Sequence, residues 1–422
     1  MPDDRAFLAA LFRAAVAAAD PTQAIARHLP APPKGRTVVI GAGKAAAQMA
    51  QAFEGLWPHP LSGVVVTRHG AGLPCARITV MEAAHPVPDA AGLAASSALL
   101  AAVAGLTADD LVVALISGGG SALLPAPAKG LELDDEIALN TALLASGAPI
   151  GVMNALRKQI SAIKGGRLAL AAHPARVVSL ILSDVPGDDP AQVASGPTVP
   201  DALTRADARA LARDWQIALP PRIADYLAGE DNPCPAPDDA RFIGHAVHVI
   251  ASAQGSLEAA ADLARARGVN AYILSDAMEG EAQSLAQALG AMAVACHRHD
   301  APFARPALLL SGGETTVRLP VPLPATAQGG RNSTFALALG AVIAGHPVTA
   351  LAADTDGIDG TGSHAGGFVD GTTATRLRAE GMTVQGQLAR HDSATALAAL
   401  GDLFVTGPTG TNVNDFRAIL IR

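Results

Sequence analysis

Aromatic residues are nearly absent from this chain: Phe, Trp and Tyr make up 3% of its 422 residues. Its core must therefore be packed from Ala, Leu, Val and Ile, and the excess of Ala points to many closely packed helices. Cysteine is scarce as well. Cys75, Cys234 and Cys296 are isolated and odd in number, which reads as reduced thiols rather than a disulfide framework or a zinc site. A basic excess is missing too. With a net charge of −8 there is no positive field to hold nucleic acid, although an anionic metabolite needs only a local positive pocket. No uninterrupted apolar run reaches the length of a membrane span. The acidic start, Met-Pro-Asp-Asp-Arg, leads into an alanine-rich helix over residues 6–19 and lacks the basic region of a signal peptide. What remains is the expectation of a cytoplasmic α/β protein, long enough for two domains.

The dominant pattern is strand, Gly-rich turn, Ala-rich helix. Strands are expected over 37–40, 63–67, 78–81, 111–116 and 177–182, with helices over 45–53, 90–103, 133–146 and 151–164. Alternation of this kind implies a parallel sheet covered on both faces. The stretch 232–239 holds three prolines and no apolar periodicity, and is the expected boundary. That gives domains over 1–235 and 240–422, with the N-terminal helix able to pack on the second. Beyond the boundary, strands are expected at 248–251, 271–274, 307–310, 349–352 and 403–405. Helices are expected at 256–267, 281–298 and 334–344, and a loop at 320–328.

Two Ser-Gly-Gly loops end hydrophobic strands about half the chain apart. Ser117-Gly118-Gly119-Gly120-Ser121 is the first and Ser311-Gly312-Gly313-Glu314-Thr315 the second. Small residues after a buried strand present backbone N–H groups that can hold a phosphate or carboxylate. Gly41-Ala-Gly43-Lys44 also follows a strand and opens a helix. It is a poor dinucleotide fingerprint, because Thr67-Arg68 stands where a ribose-binding acid belongs, and the spacing is too short for a Walker A loop. Lys44 near a helix N-terminus opposes the helix dipole, an unhelpful place for a purely structural lysine.

Asn154, Arg157 or Lys158, Ser161 and Lys164 share one face at helical spacing. They form either a solvated basic face or a polar face within a site. Asp184, Asp188 and Asp189 follow a strand, where bases and Mg²⁺ ligands are commonly placed; turn chemistry accounts for Asp188 and Asp189 better than for Asp184. Asp354-Thr-Asp356-Gly-Ile-Asp359 fits a Mg²⁺ or hydroxyl contact as well as a tight turn. Gly329-Gly330-Arg331-Asn332 sets a guanidinium beside flexible backbone, a group suited to carboxylate or phosphate. The segment 407–415, with Asn412, is dense in Gly, Thr and Asn, and such order makes sense only if it is docked. His85-Pro86-Val-Pro88-Asp89 reads as a rigid loop entering a helix.

In series, these motifs resemble the class II glycerate kinases, the family also named after tartrate-operon hydroxypyruvate reductase, and the match runs over nearly the whole chain in order. The resemblance implies two α/β domains, the first Rossmann-like with a mainly parallel sheet, and an active-site cleft between them. It implies ATP-dependent phosphorylation of D-glycerate at the 2-hydroxyl with Mg²⁺, in an enzyme that needs no nucleic acid or membrane partner, and a homodimer is an allied expectation. Lys44, Arg331 and Asp184 are the expected catalytic residues, and Asp189 and Asp356 the expected metal ligands. Substrate and phosphate would be held by Ser117, Gly118, Gly119, Gly120, Ser121, Asn154 and Arg157, and by Ser311, Gly312, Gly313, Glu314, Thr315, Gly329, Gly330 and Asn412. One departure stands out. Many relatives carry a carboxylate near the position of Ser363, and this chain does not. The alternatives are an NAD(P)H-dependent hydroxypyruvate reductase, which the missing ribose-binding acid disfavours, and a metabolite sensor, for which one anion site would suffice.

Overall fold

The structure is a computed structural model that describes residues 4–229, 234–318, 328–360 and 362–422. The expected 320–328 loop lies outside the described residues apart from Gln328. The chain folds as two compact units, one spanning Pro21–Ile250 and the other made of Met1–Asp20 with Ala251–Arg422.

The first unit is built on six strands: β1 (Thr37–Ala42), β2 (Ser62–Arg68), β3 (Ile78–Ala83), β4 (Leu111–Ser117), β5 (Arg176–Leu182) and β6 (Ala246–Ala251). They lie in the order β3-β2-β1-β4-β5-β6, and β1 to β5 pair in parallel. The central strands β1 and β4 are buried at every position, which is why they read as unbroken apolar runs. The division follows Ile250 rather than residues 235–240 for a simple reason: β6, beyond the prolines, still belongs to this sheet.

The second unit continues with β7 (Asn270–Ser275), β8 (Gly280–Glu281), β9 (Ala307–Ser311), β10 (Thr315–Thr316), β11 (Val348–Asp354), β12 (Gly366–Asp370), β13 (Leu403–Phe404) and β14 (Asp415–Ile421). Its six-stranded sheet has the order β13-β12-β11-β14-β9-β7. Here strand–helix alternation misleads about the sheet. β7 and β9 pair in parallel, but the terminal strand β14 inserts between β9 and β11 and runs antiparallel to both. β12 is antiparallel to β11 as well.

Four of the nine phenylalanines meet in this unit. Phe12 packs edge-on against Phe404 and Phe416, at ring-centre distances of 5.0 and 5.7 Å, and Phe368 joins Phe404 at 5.2 Å. Phe12 belongs to the helix Asp4–Ala18, whose Phe7, Leu8 and Leu11 are also buried. Each such side chain contributes about 1.5–3 kcal/mol on burial, which ties this N-terminal helix to the second unit. Among the described residues no helix is long and apolar enough to cross a membrane.

Candidate active site

Parallel pairing brings the C-terminal ends of β1 to β5 to one edge of the first sheet. Lys44 follows β1, Arg68 ends β2, His85 follows β3, Ser117 ends β4 and Asp184 follows β5. Strand order reverses between β1 and β4, and ligands of open α/β sheets bind at such a switch point. There the two turns are tied together: Lys44 N donates to Gly118 O at 2.8 Å and Ala45 N to Ser117 Oγ at 3.1 Å.

The glycines of this loop are needed for close approach. A Cβ on Gly118 would lie 1.7 Å from Asp184 Oδ2, so the carboxylate rests against bare backbone. Gly119 has φ +77°, and a Cβ there would meet Lys44 Cγ at 3.0 Å and His85 Nε2 at 3.2 Å. The N–H groups of Gly119, Gly120 and Ser121 have no acceptor among the described residues. Lys44 makes no ion pair among them either. The His85 imidazole is pushed down to about 4 by its burial and by the charges of Lys44 and Arg68, so it is neutral at pH 7.

A hydrogen-bonded chain extends from Ser121. Its Oγ lies 2.8 Å from Ser195 Oγ, which donates to Asn154 Oδ1 at 2.9 Å; Arg157 Nη1 donates to the same oxygen at 3.2 Å and its Nε to Asn140 Oδ1 at 2.8 Å. Burial lowers the Arg157 guanidinium to about 10. The expected helix over 151–164 stops early, spanning Ile150–Gln159. Ser161 Oγ accepts from the N–H groups of Ile163 and Lys164 at 3.3 and 3.2 Å, a local turn that competes with the helix. Lys158, still inside the helix, pairs with Asp201, and buried Lys164 donates to Leu124 O at 2.6 Å. Asn154 and Arg157 join the chain from Ser121, and Lys164 lines the same small cavity as Ser121 and Arg157 beside Glu136, whereas Lys158 faces Asp201. Exposed Asp189 accepts from Ala191 N at 3.0 Å and Gln192 Nε2 at 3.3 Å, closing its own turn.

The second Ser-Gly-Gly loop ends β9, and two of its N–H groups are taken, while those of Gly313 and Glu314 have no acceptor among the described residues. Gly312 N donates to Ser275 O at 2.8 Å and Thr315 N to Asp415 Oδ2 at 3.2 Å, while Gly312 O accepts from Arg417 Nη1 at 2.8 Å. Gly313 (φ +95°) packs so tightly that a Cβ would lie 2.2 Å from Met278 N. Because β14 is antiparallel to its neighbours, its first residue, Asp415, falls at the same edge as the ends of β9 and β11. Asp415 stands directly opposite Asp354 in the ladder, a repulsive pairing that Arg331 bridges. Arg331 Nε donates to Asp415 Oδ1 at 2.7 Å, Nη2 to Asp354 Oδ2 at 2.9 Å, and Nη1 to Glu314 Oε1. Burial would lower this guanidinium, but Asp415, Glu314 and Asp354 together raise it above its ordinary value. Asp354 is pushed well above the usual carboxylate range by burial and by the charge of Asp356, against the pull of Arg331.

The helix Arg331–Val342 offers no free N-terminus to a ligand. Asp359 accepts from Asn332 N at 2.9 Å and Ser333 N at 2.8 Å, and a Cβ on Gly330 would lie 2.4 Å from Asp359 Oδ1. Gly329 packs against Ser393 and Ser333. Both glycines thus accommodate the protein's own groups. Asn412 Oδ1 accepts from Asn414 N at 3.1 Å and holds the segment before β14. Among the described residues no group of three or more His, Cys, Asp or Glu is arranged to hold a metal ion.

His85 and Arg417 escape a reading of the sequence, and Ser195 and Asp415 fall in motifs that carry the family resemblance without an assigned part. His85 sits in a motif that looks like a rigid loop. Asp415 and Arg417 begin a strand that the pattern of the chain does not announce. The only local signal for the last two is an Asn-Asp pair ahead of an apolar run.

Residues 7–228 match the family model described as a domain of unknown function (DUF4147), and residues 307–415 match the MOFRL family. The chain is 49% identical over 420 residues to an Agrobacterium vitis protein named "Putative hydroxypyruvate reductase", covering 99% of this chain and 94% of that one. It is 36% identical over 408 residues to D-glycerate 2-kinase of Thermotoga maritima, covering 96% and 95% of the two chains. The crystal structure of glycerate kinase from the same organism superposes with a TM-score of 0.86 at 35% identity, over 98% of each chain. Similarity of this extent, in sequence and in fold, makes this chain a member of the class II glycerate kinase family.

Proposed function

We propose that this chain transfers the γ-phosphoryl group of ATP to the 2-hydroxyl of D-glycerate. The observation that carries the reading is the first unit's open loop: three N–H groups without an acceptor and a lysine without an ion pair among the described residues, with a carboxylate against Gly118. End-to-end similarity to a D-glycerate 2-kinase supports it. Phosphoryl transfer asks a protein for positioning and charge neutralisation, and an acid with an adjacent hydroxyl suits this loop. Lys44 and the loop N–H groups would take the carboxylate, Asp184 would orient the acceptor hydroxyl, and Ser121, Asn154 and Arg157 would hold the remaining oxygens.

The second unit would serve the nucleotide, with Arg331 meeting phosphate oxygens where the exposed Glu314 gives way. Mg²⁺ commonly binds through one or two carboxylates plus substrate phosphates, so a three-ligand protein site is not required. The buried Asp354 beside Asp356 is a like-charged pair that a cation would relieve, and these two residues fit that part. Asp189, engaged in its own turn, is given no metal. When bound, Mg²⁺ would neutralise charge on the phosphates.

The test is direct. D-glycerate with ATP and Mg²⁺ should give 2-phosphoglycerate and ADP, resolved from the 3-phosphate by phosphorus NMR. Oxidation of NADH or NADPH on hydroxypyruvate, without ADP release from glycerate and ATP, would replace this reading with the reductase one.

A further inference from the structure

His85, like Arg68, is a neighbour of the open loop that the roles above leave unused. It follows β3, is half-buried, and neither ring nitrogen has a hydrogen-bond partner among the described residues. A Cβ built on Gly119 would lie 3.2 Å from its Nε2 and 3.0 Å from Lys44 Cγ. One stretch of bare backbone is thus flanked by an ammonium-bearing chain and by an imidazole nitrogen.

The two flanks differ in kind. Lys44 carries a positive charge and three donors. His85 is held neutral by its burial and by Lys44 and Arg68, at about 4. A second cation would have served a carboxylate or phosphate better. A neutral imidazole instead offers one donor and one acceptor, the complement of a hydroxyl.

We infer that His85 recognises the α-hydroxyl of a hydroxy acid whose carboxylate lies on Lys44 and the N–H groups of the 117–121 loop. His85 can do so only if that loop takes the acid, as proposed above. The pairing of a cation with a neutral imidazole at one turn would then select 2-hydroxy acids over simple carboxylates, because an analogue without the hydroxyl leaves a half-buried nitrogen unpaired.

Calorimetric titration of the full chain with D-glycerate and with 3-hydroxypropanoate, which lacks the 2-hydroxyl, tests this. Wild type should prefer D-glycerate. His85→Phe should weaken D-glycerate by about tenfold, the worth of one good hydrogen bond, and leave 3-hydroxypropanoate unchanged. His85→Gln, which keeps a donor and an acceptor, should recover part of the loss. His85→Ala needs no room for a larger ring, and should show the same selective loss if the Phe variant fails to fold. Equal weakening of both acids, or of neither, overturns the role of His85. A wild type that neither binds nor phosphorylates D-glycerate overturns the functional reading instead, and the two failures are thereby told apart.

Discussion

The two Ser-Gly-Gly loops look alike in sequence and are opposite in physics. Around the first lie Lys44, Arg68, the neutral His85 and Asp184, with Arg157 beside Glu136, and three backbone N–H groups have no acceptor among the described residues. Around the second, Glu314, Asp354, Asp356 and Asp415 outnumber Arg331 and Arg417, and Gly312 and Thr315 are bonded to β7, to the turn after it and to β14. A small-residue turn after a buried strand creates only an opportunity for anion binding. Whether it stays open is decided by what the rest of the fold brings to it. In the first unit the parallel strands bring Lys44 and Arg68 to the loop; in the second, an antiparallel strand brings Asp415, which accepts from Thr315 and holds Arg331.

The contrast breaks most severely at Asp415. Its carboxylate serves Arg331, Arg417, Asn332 and Thr315, and both it and Arg417 are fully buried. Burial lowers the Arg417 guanidinium while Asp415 pulls it back up. Asp415→Ala would leave a buried charge unpaired and should cost about 3–5 kcal/mol of stability, measured by denaturant unfolding. A loss under about 1 kcal/mol would mean that the second loop is not held by this network.

Lys44 should behave in the opposite way. With no ion pair among the described residues to lose, Lys44→Ala should change stability by no more than about 0.5 kcal/mol. Its effect on phosphorylation should be large, on the order of 10²–10³ in kcat/KM, as for removal of one preorganised donor to developing charge. If the unfolding midpoint fell as far as that of Asp415→Ala, Lys44 would be a structural cation and the first loop would not be the open one.

This division of roles also sets how much of each site is legible in the sequence. The strand-end groups of the first site are legible because each sits next to a strand whose apolar run is unmistakable: Lys44 after 37–42, Ser117 at the end of 111–117, Asp184 after 176–182. Parallel alternation then places them together without further information. The second is legible only in part. The docking of 415–421 between β9 and β11 is a long-range choice, and it fixes the partners of Arg331. Asp359, which reads as part of an acidic turn, is a helix cap for the same reason. Ser161 shows the limit at short range: one side-chain turn ends a helix that periodicity would prolong through Lys164.

His85 gives a smaller effect, visible in pH dependence. Its folded value is lowered from 6.5 to about 4, so between these values the unfolded chain binds more protons than the native one. Its contribution is therefore present above about pH 6.5 and is lost as pH falls toward 4. Allowing for its exposed edge, about 1–2 kcal/mol is at stake. His85→Gln should flatten that part of the stability curve relative to wild type. Parallel curves for the two proteins would show that Lys44 and Arg68 do not hold the imidazole neutral.

The smallest effect probes the point at which the second site could still open. Of the three carboxylates on Arg331, Asp415 and Asp354 are buried, whereas the Glu314 side chain is 53% exposed. An exposed ion pair contributes at most about 1 kcal/mol, so Glu314 is the partner that an incoming phosphate can displace while the other two keep the guanidinium in place. Glu314 would then act as an internal stand-in for the anion, competing with it. Glu314→Gln should lower KM for ATP by a few-fold, leave KM for D-glycerate unchanged, and alter stability by less than about 1 kcal/mol. A rise in KM for ATP would assign Glu314 a direct part in holding the nucleotide, and the second loop would then be as open in function as the first.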